Sequence, residues 1–412
     1  MRRKEDASRY LGAGDIGHLS GLPKQQNLGK RVKRLSARVE AGKAKYEGDE
    51  ALAKIFVQAL RAQAENDWAT QHFHSYPARF APEGAKIMLN ALGGERFADP
   101  FCGGGTLVLE AQLRGMTSFG SDLSPIAILV SQTRTSLWTP SQLDDFLDLV
   151  DLVTQEAQGY VDKKQKLWIP APILKIKPWY KSNMFNELLA LYTASSAYHN
   201  EFSDLLRAVL SSIVVKYSLR ASDTSNRVVY TPRKDGVALK AYADKAYELA
   251  ERLHALAKLT PESTPAAEIA LSDARTHKFE DIDTIATSPP YPGTYDYLPM
   301  QQLRLAWLGL EAQEQLEMGS RRIFRDQRGA YEKWKKDTNA WMLAAAKSMR
   351  SGGKMAVIVG EGISRGRTYK VAAPTKEAAA RAKLEFIASG AVERRDPATQ
   401  AKKIEYILAF RK

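Results

Sequence analysis

The chain has 412 residues, 44% hydrophobic and 26% charged, with 60 Lys and Arg against 47 Asp and Glu for a formal net charge of +13. That composition belongs to a soluble globular protein of about two or three domains, and no apolar run approaches the roughly 18 residues of a membrane span. The N-terminus MRRKEDASRY has no apolar core of a secretory signal, and the lone Cys102 excludes an internal disulfide and a cysteine-rich zinc site, so a cytoplasmic protein without a metal is expected. The basic excess favours a polyanionic partner without requiring one.

Residues 1 to 28 are polar, and the densest basic run is GKRVKRLSAR at 29–38. Val32, Leu35 and Val39, then Leu52, Ile55 and Leu60, recur at helical spacings, so residues 1–70 are expected as a helical extension. From residue 83 helix and strand alternate. EGAKIMLNALGG is a helix stopped by Gly93 and Gly94, and ERFADPF a strand ending at Asp99-Pro100. Thr106 to Arg114 is a helix and TSFGSDL a strand. Ser124-Pro125 then opens another helix, with serine as cap and proline in the first turn. Between residues 138 and 265 the alternation gives way to long helical stretches, Leu143 to Tyr160, Met184 to Leu219 and Ala238 to Leu259. It resumes at EIALSDAR, DTIATSPP and KMAVIVGEG, and AVERRD and KKIEYILAFRK read as an antiparallel hairpin at the sheet edge. The expected architecture is a Rossmann-like α/β domain (71–137 and 266–412) interrupted by a mostly helical insertion (138–265).

DPFCGGGTLVLEA (99–111) lies between a strand and a helix, where backbone N–H groups meet ligands. A dinucleotide fingerprint fails because its third glycine falls at Val108, and no lysine follows to make a phosphate loop. Asp99 would repel phosphate but suits a cationic ligand, and Asp122, closing the next strand, suits two ribose hydroxyls. Acids at both strand ends around a glycine turn point to S-adenosylmethionine, with its sulfonium, ammonium and ribose. A tight turn with Asp122 as a helix cap is the alternative reading.

DPFCGGGT and TSPPY (287–291) resemble the cofactor and catalytic motifs of the amino-methylating DNA methyltransferases, enzymes that modify N4 of cytosine or N6 of adenine. HSYPARFAPE (74–83) is similar to the segment that closes over the cofactor's methionine part, and SDAR (272–275) to the turn whose carboxylate accepts from adenine. The resemblance covers residues 72–135 and 266–412. It implies a Rossmann-like methyltransferase sheet with a cofactor site at Tyr76, Asp99, Phe101, Gly103, Gly105, Thr106, Asp122, Leu123, Asp273 and Ala274. It also implies catalysis at Ser288, Pro289, Pro290 and Tyr291 on a base flipped out of duplex DNA.

An exocyclic amine is a weak nucleophile until acceptors take both N–H groups and localise its lone pair. The Ser288 hydroxyl or carbonyl and the Pro289 carbonyl are such acceptors, held rigid by the prolines, with Tyr291 as a stacking ring. Carbon-5 methylation is excluded because it needs a thiolate after proline, whereas Cys102 follows Phe101 inside the cofactor loop. Serine in the first motif position leans toward cytosine N4. Adenine N6 or RNA methylation, and a catalytically silent nucleic-acid-binding protein on the same fold, are the alternatives. Target contacts are expected in the insertion at Arg220, Arg227, Arg233 and Lys234, and after the catalytic strand at Arg321 and Arg322. GEGISRGRTYK (360–370) is a third basic candidate. No nuclease constellation is evident, so a restriction endonuclease partner would be a separate chain. The recognition sequence and oligomeric state are not encoded legibly.

Overall fold

A computed structural model describes residues 43–63, 68–77, 79–222, 225–395 and 401–412. The basic run 29–38, the first expected helix and most of the PATQA loop lie outside the described residues.

The chain enters through β1 (Ala44–Gly48) and α1 (Glu50–Arg61), whose cap Asp49 accepts from Leu52 N at 2.8 Å. Then come α2 (Pro82–Leu92), β2 (Arg96–Asp99), α3 (Thr106–Gln112), β3 (Thr117–Asp122) and α4 (Pro125–Thr135). As expected, Ser124 caps α4, accepting from Ala127 N at 3.3 Å with Pro125 in the first turn. The insertion holds α5 (Pro140–Asp162), α6 (Ala171–Ile176), α7 (Ser182–Ser195) and α8 (Ser203–Val214). A hairpin of β4 (Arg220–Ser222) and β5 (Ser225–Val228) and the helix α9 (Val237–Leu259) complete it. The stretch expected as helix from Met184 to Leu219 is thus two helices, separated at residues 196–202.

The sheet resumes with β6 (Glu268–Leu271) and β7 (Ile282–Thr287), followed by α10 (Tyr297–Met300), α11 (Gln302–Leu308), α12 (Arg321–Asp326) and α13 (Ala330–Ser348). Next are β8 (Met349–Gly360), a small hairpin of β9 (Gly362–Ser364) and β10 (Arg367–Tyr369), and α14 (Ala372–Arg381). The long strands β11 (Glu385–Arg395) and β12 (Lys402–Arg411) end the fold.

Eight strands form one sheet in the order β1-β11-β12-β8-β7-β2-β3-β6. The pairs from β8 to β6 are parallel, and β12, β11 and β1 join antiparallel. Two expectations change here. The terminal hairpin is present but not at the edge, because β1 pairs with β11 from Ala44 opposite Val392 to Gly48 opposite Ala388. Residues 44–61, expected within a helical extension, are instead an edge strand and a helix of the sheet domain. AKYEG is short, polar and almost wholly exposed, so it carries no apolar alternation by which to recognise a strand.

Period-two alternation in β8 divides the core between the sheet faces. Met355, Val357 and Val359 pack with Trp334 and Trp341 of α13 on one side. Ala356 and Ile358 pack with Phe56 of α1, Met88 of α2 and Val108 of α3 on the other. The insertion has its own cluster, built on α5, α7, α8 and α9 and including Trp307 from α11. From β2 the sheet grows one way through β3 and β6 and the other way through β7 and β8. The carboxyl ends of β2 and β7 therefore flank the switch point where open α/β sheets bind ligands.

The packing of α1 on β11 permits a test. A Cβ on Gly390 would lie 2.6 Å from the Ala53 carbonyl oxygen and 2.7 Å from Phe56 Cβ. Gly390→Val is expected to cost about 1–3 kcal/mol through overpacking and to lower the thermal midpoint by several degrees. An unchanged midpoint by circular dichroism would mean that α1 does not pack there.

Candidate functional site

The two motifs meet at the switch point. Asp99 ends β2 and Thr287 ends β7, and the Thr287 hydroxyl donates to Asp99 Oδ1 at 2.6 Å. Phe101 N donates to the same oxygen at 3.0 Å. The carboxyl is only 2% exposed. Burial pushes its pKa up to about 7, against the opposing pull of these two donors.

The chain then turns through the glycines. Gly103 (φ 50°) and Gly105 (φ 75°) take left-handed conformations that a side chain would strain. The turn is held from both sides. Gly103 N donates to Asp122 Oδ2 at 2.9 Å and Ser124 N to Asp122 Oδ1 at 2.8 Å. Asp122 thus shapes the loop and the start of α4, while burial raises its pKa despite those N–H groups. Ser131 donates to the Gly103 carbonyl at 2.6 Å, and Arg134 Nη1 donates to the Gly104 carbonyl. Tyr76 covers the turn, since a Cβ on Gly103 would lie 3.3 Å from its ring. Phe101 stands edge-on to Trp341 with ring centroids 5.4 Å apart. Thr106 Oγ1, in the first turn of α3, is buried and has no hydrogen-bond partner among the described residues. An orphaned hydroxyl beside a glycine turn fits a ligand with polar groups.

Ser272 N donates to the Asp122 carbonyl at 3.0 Å, which seats the SDAR turn, with Leu123 and the buried Ala274, beside this loop. Asp273 differs from expectation. Both its oxygens accept from Arg275, whose Nη1 also reaches Asp337 at 3.0 Å. Burial works to raise its pKa, but Arg275 prevails and holds the carboxyl below its usual value. It is a fixed ion pair rather than the open adenine acceptor the motif implied.

Beyond Thr287, the indole of Trp334 donates to the Pro290 carbonyl at 3.1 Å. The Pro289 carbonyl has no hydrogen bond among the described residues. The Tyr291 ring lies on Gly360, where a Cβ would be 2.5 Å from Cε2, and its hydroxyl donates to Glu405 at 2.9 Å. The following loop is held by Glu317, which accepts from Leu298 N at 3.2 Å and whose pKa burial lifts to about 7. Tyr297 is half-buried, its ring centroid 5.4 Å from that of Tyr295. Sequence reasoning missed Thr287, Arg134, Trp334 and Glu405. Only Thr287 lay within a recognised motif; the others are brought in by tertiary packing.

The basic candidates separate. Arg227 and Lys234 are exposed, beside Tyr230 at 74% exposure. Arg220 is buried over Trp179, 5.8 Å from the ring centre, and donates to the Met300 carbonyl at 3.4 Å. It joins the β4–β5 hairpin to α10 and does not face solvent. Arg233 lies 4.6 Å over Tyr217 and donates to the Lys216 carbonyl. Arg321 grips the Thr294 carbonyl through Nε at 3.0 Å. Arg322 is committed to Glu314, Glu317 and Asp296, so the expectation of a phosphate contact is corrected for it as for Arg220. In the third basic candidate, Lys370 pairs with Glu361 at 2.9 Å.

No family model matches the chain. It is 21% identical over 270 residues to the Type II methyltransferase M.MvaI of Kocuria varians, covering 60% of each chain. It is 24% identical over 300 residues to the Type II methyltransferase M.BsoBI of Geobacillus stearothermophilus, covering 64% of this chain and 56% of that one. The chain thus spans under two thirds of the length of these curated relatives. Among solved structures, TrmN from Thermus thermophilus covers 87% of this chain and 53% of that one at 12% identity and a TM-score of 0.32, too loose an overlap to add to the strand order above. The methyltransferase resemblance of the motifs is borne out by the two curated relatives.

The buried Asp99 makes stability depend on pH. Its folded pKa of about 7 lies above the unfolded value of about 3.9. The folded state therefore holds the extra proton, and this stabilisation is full below pH ~4 and lost as pH rises through ~7, on the order of 4 kcal/mol in all. Asp99→Asn keeps an oxygen for Thr287 and Phe101 N. Denaturant unfolding at several pH values should show wild-type stability, relative to this variant, falling across that window. A constant difference would refute the assignment.

Proposed function

We propose that this chain is an S-adenosylmethionine-dependent DNA methyltransferase acting on the exocyclic amine of a flipped base, N4 of cytosine. The observation that carries the reading is the Thr287–Asp99 hydrogen bond. It places the acid of the glycine loop and the Ser-Pro-Pro-Tyr segment on adjacent strand ends at the switch point. The two curated relatives, named Type II methyltransferases, support it, as does the net charge of +13 for a polyanionic partner.

The residues present fit the cofactor. Asp99 offers a carboxylate to its ammonium, and Asp122 keeps acceptor capacity for ribose hydroxyls beside the backbone it organises. Tyr76, Phe101 and Leu123 supply apolar walls, the turn at Gly103 and Gly105 allows close approach, and the unpartnered Thr106 hydroxyl gains a partner. Ala274 and the turn fixed by the Asp273–Arg275 pair border the adenine end. When bound, the cofactor supplies an electrophilic methyl on a sulfonium. Ser288 and the Pro289 carbonyl accept the two amine N–H groups, which localises the nitrogen lone pair for attack. The Pro290 carbonyl accepts from Trp334, which pins the second proline in place. The rigid prolines keep this geometry without reorganisation, and the Tyr291 face away from Gly360 stacks on the base.

Arg227 and Lys234, with Arg233 and Arg321 nearer the backbone, contribute to the nucleic-acid face. The β4–β5 hairpin is tied to the segment after the catalytic loop by Arg220. Residues 138–265 act in target recognition. A restriction endonuclease, where one operates, is a separate chain.

Transfer of labelled methyl to duplex DNA, single-stranded DNA and RNA, followed by nucleoside mass spectrometry, tests the reading. N4-methylcytosine in DNA is expected; label only in RNA or only as N6-methyladenine would replace it. Ser288→Ala and Tyr291→Ala should each lower turnover about 100-fold or more, in line with loss of a preorganised polar contact. Cofactor affinity by calorimetry should change little in both, whereas Asp122→Ala should weaken cofactor binding at least about tenfold. Equal loss of cofactor binding in all three variants would undo these roles, and absence of binding to wild type would favour a silent nucleic-acid-binding protein.

A further inference from the structure

The insertion carries a basic stretch that belongs to no motif. KKQKLWIPAPILKIKPWYK (163–181) has six lysines and no Asp or Glu. None of the six forms an ion pair among the described residues. Ile173 and Ile176 of α6 are buried in the insertion's core, which turns the exposed Lys175 and Lys177 outward. Pro178 then sits in a single 3-10 turn (Lys177–Trp179), and Lys177 Nζ lies 5.4 Å over the Phe185 ring.

This stretch adjoins the β4–β5 hairpin and the loop after it. Leu219 N donates to the Trp179 carbonyl at 2.7 Å, and the Arg220 guanidinium covers the Trp179 ring. Asn183, two residues after Lys181, donates to the Arg233 carbonyl at 3.2 Å and to Asp235 at 2.9 Å. Lys175, Lys177 and Lys181 therefore continue the surface of Arg227, Arg233 and Lys234. Arg220 joins both parts to the Met300 carbonyl, beyond the Ser-Pro-Pro-Tyr loop. The acids at this junction are engaged elsewhere. Glu187 accepts from Gly236 N and Ala238 N at the start of α9, and Asp235 from Asn183. Like charges gathered without acid partners repel one another, and a polyanion that displaces their counterions relieves that cost.

We propose that Lys175, Lys177 and Lys181 bind the phosphate backbone of duplex DNA, extending the nucleic-acid face from the hairpin onto α6 and the turn that follows it. The proposal rests on the reading of the substrate as DNA. It gives these lysines affinity and register, with no part in base readout or methyl transfer. The exposed Trp168 and Leu174 in the same stretch make an anionic lipid surface the competing partner. The bonds to the hairpin and to Met300 favour DNA.

Binding of a fluorescein-labelled, mixed-sequence duplex of about 30 base pairs should be followed by anisotropy across a salt series, since phosphate contacts need no recognition sequence. One variant combines Lys175→Gln, Lys177→Gln and Lys181→Gln, and a second places Arg at the same three positions. A control combines Lys45→Gln, Lys347→Gln and Lys383→Gln, exposed lysines of the sheet domain, and removes the same charge. Thermal midpoints should match wild type in all three, because the changes are at the surface. The first variant is expected to reduce the slope of log K against log salt by about 2–3 and to weaken binding at least about tenfold near physiological salt. Arginine should restore both, and the control should keep the wild-type slope. In methyl transfer the first variant should raise KM for DNA and leave kcat unchanged. Equal slopes in wild type and the first variant, or an equal loss in the control, would overturn the proposal. So would a loss confined to co-sedimentation with phosphatidylserine vesicles, which would give the face to lipid. A wild type that binds the duplex through these lysines but transfers no methyl group ends the proposed function alone. A wild type that does not bind the duplex ends the phosphate face.

Discussion

Much of this protein's organisation depends on one hydrogen bond, from the Thr287 hydroxyl to the buried carboxyl of Asp99. Neighbouring parallel strands bring their carboxyl ends together wherever they pair. At this pair the following chains also diverge, one into the glycine loop and one into the prolines, at the place where open α/β sheets bind ligands. The carboxyl is buried where the two strand ends meet, and that burial is what raises its pKa. Burying an acid there is unfavourable by itself, and in the proposed function a cationic group of the cofactor offsets that cost. The same bond fixes the residue immediately before Ser288, so the glycine loop and the Ser-Pro-Pro-Tyr segment share one reference point.

A second network fastens the segment that sets Tyr76 over the glycine turn. The Arg134 guanidinium, fully buried near the end of α4, donates to the carbonyls of Thr70, Gln71 and Gly104 and to the Gln71 side chain. Gln71 passes its own NH2 to the buried Glu110, which also accepts from Trp68 and Arg114. A buried cation is tolerable only when its donors are satisfied and opposite charge is near. Here that requirement binds residues 68–74 to α3, α4 and the glycine turn at once. Tyr76, a few residues on, is thereby set over Gly103. The insertion is fastened to the same segment by Arg252, donating to the Ala69 carbonyl at 2.9 Å, and Lys245, donating to that of Phe73.

What was legible in the sequence is what depends on neighbours in the chain. DPFCGGGT announces a strand, a left-handed turn and a helix within a dozen residues, and Ser124-Pro125 announces a helix start. Both are present, and Asp122 combines the two readings weighed for it by organising the turn while keeping acceptor capacity. TSPPY marks the end of β7 just as clearly. The misjudged residues are charges whose partners are remote. Arg220 and Arg322 look like solvent-facing cations because nothing local shows Trp179 under one or three carboxylates around the other. Glu405 is the sharpest case: it lies in no motif, and nothing local shows that it meets the Tyr291 hydroxyl and the Arg394 guanidinium.

The position of the insertion follows from this geometry. It leaves the sheet after α4 and returns at β6, yet its helices do not pack only on one another. Trp307, on the segment that follows the Ser-Pro-Pro-Tyr loop, is fully buried in the insertion's core, with its indole bonded to Tyr180 at 2.9 Å. Arg304 reaches across to the Ser211 carbonyl at 3.0 Å, and Arg220 to that of Met300. Residues 297–308 therefore belong to the catalytic domain by sequence and to the insertion by packing. At the other end of that same loop, Thr287 is bonded to Asp99. Close-packed cores resist gradual deformation, so a displacement of the insertion that moves Trp307 must be absorbed in the residues between Thr287 and Tyr297. That stretch contains Ser288, Pro289, Pro290 and Tyr291. The fold thus directs any such strain to the residues proposed to hold the target amine, and the two prolines, with their fixed φ, are what leave that stretch least able to absorb it locally.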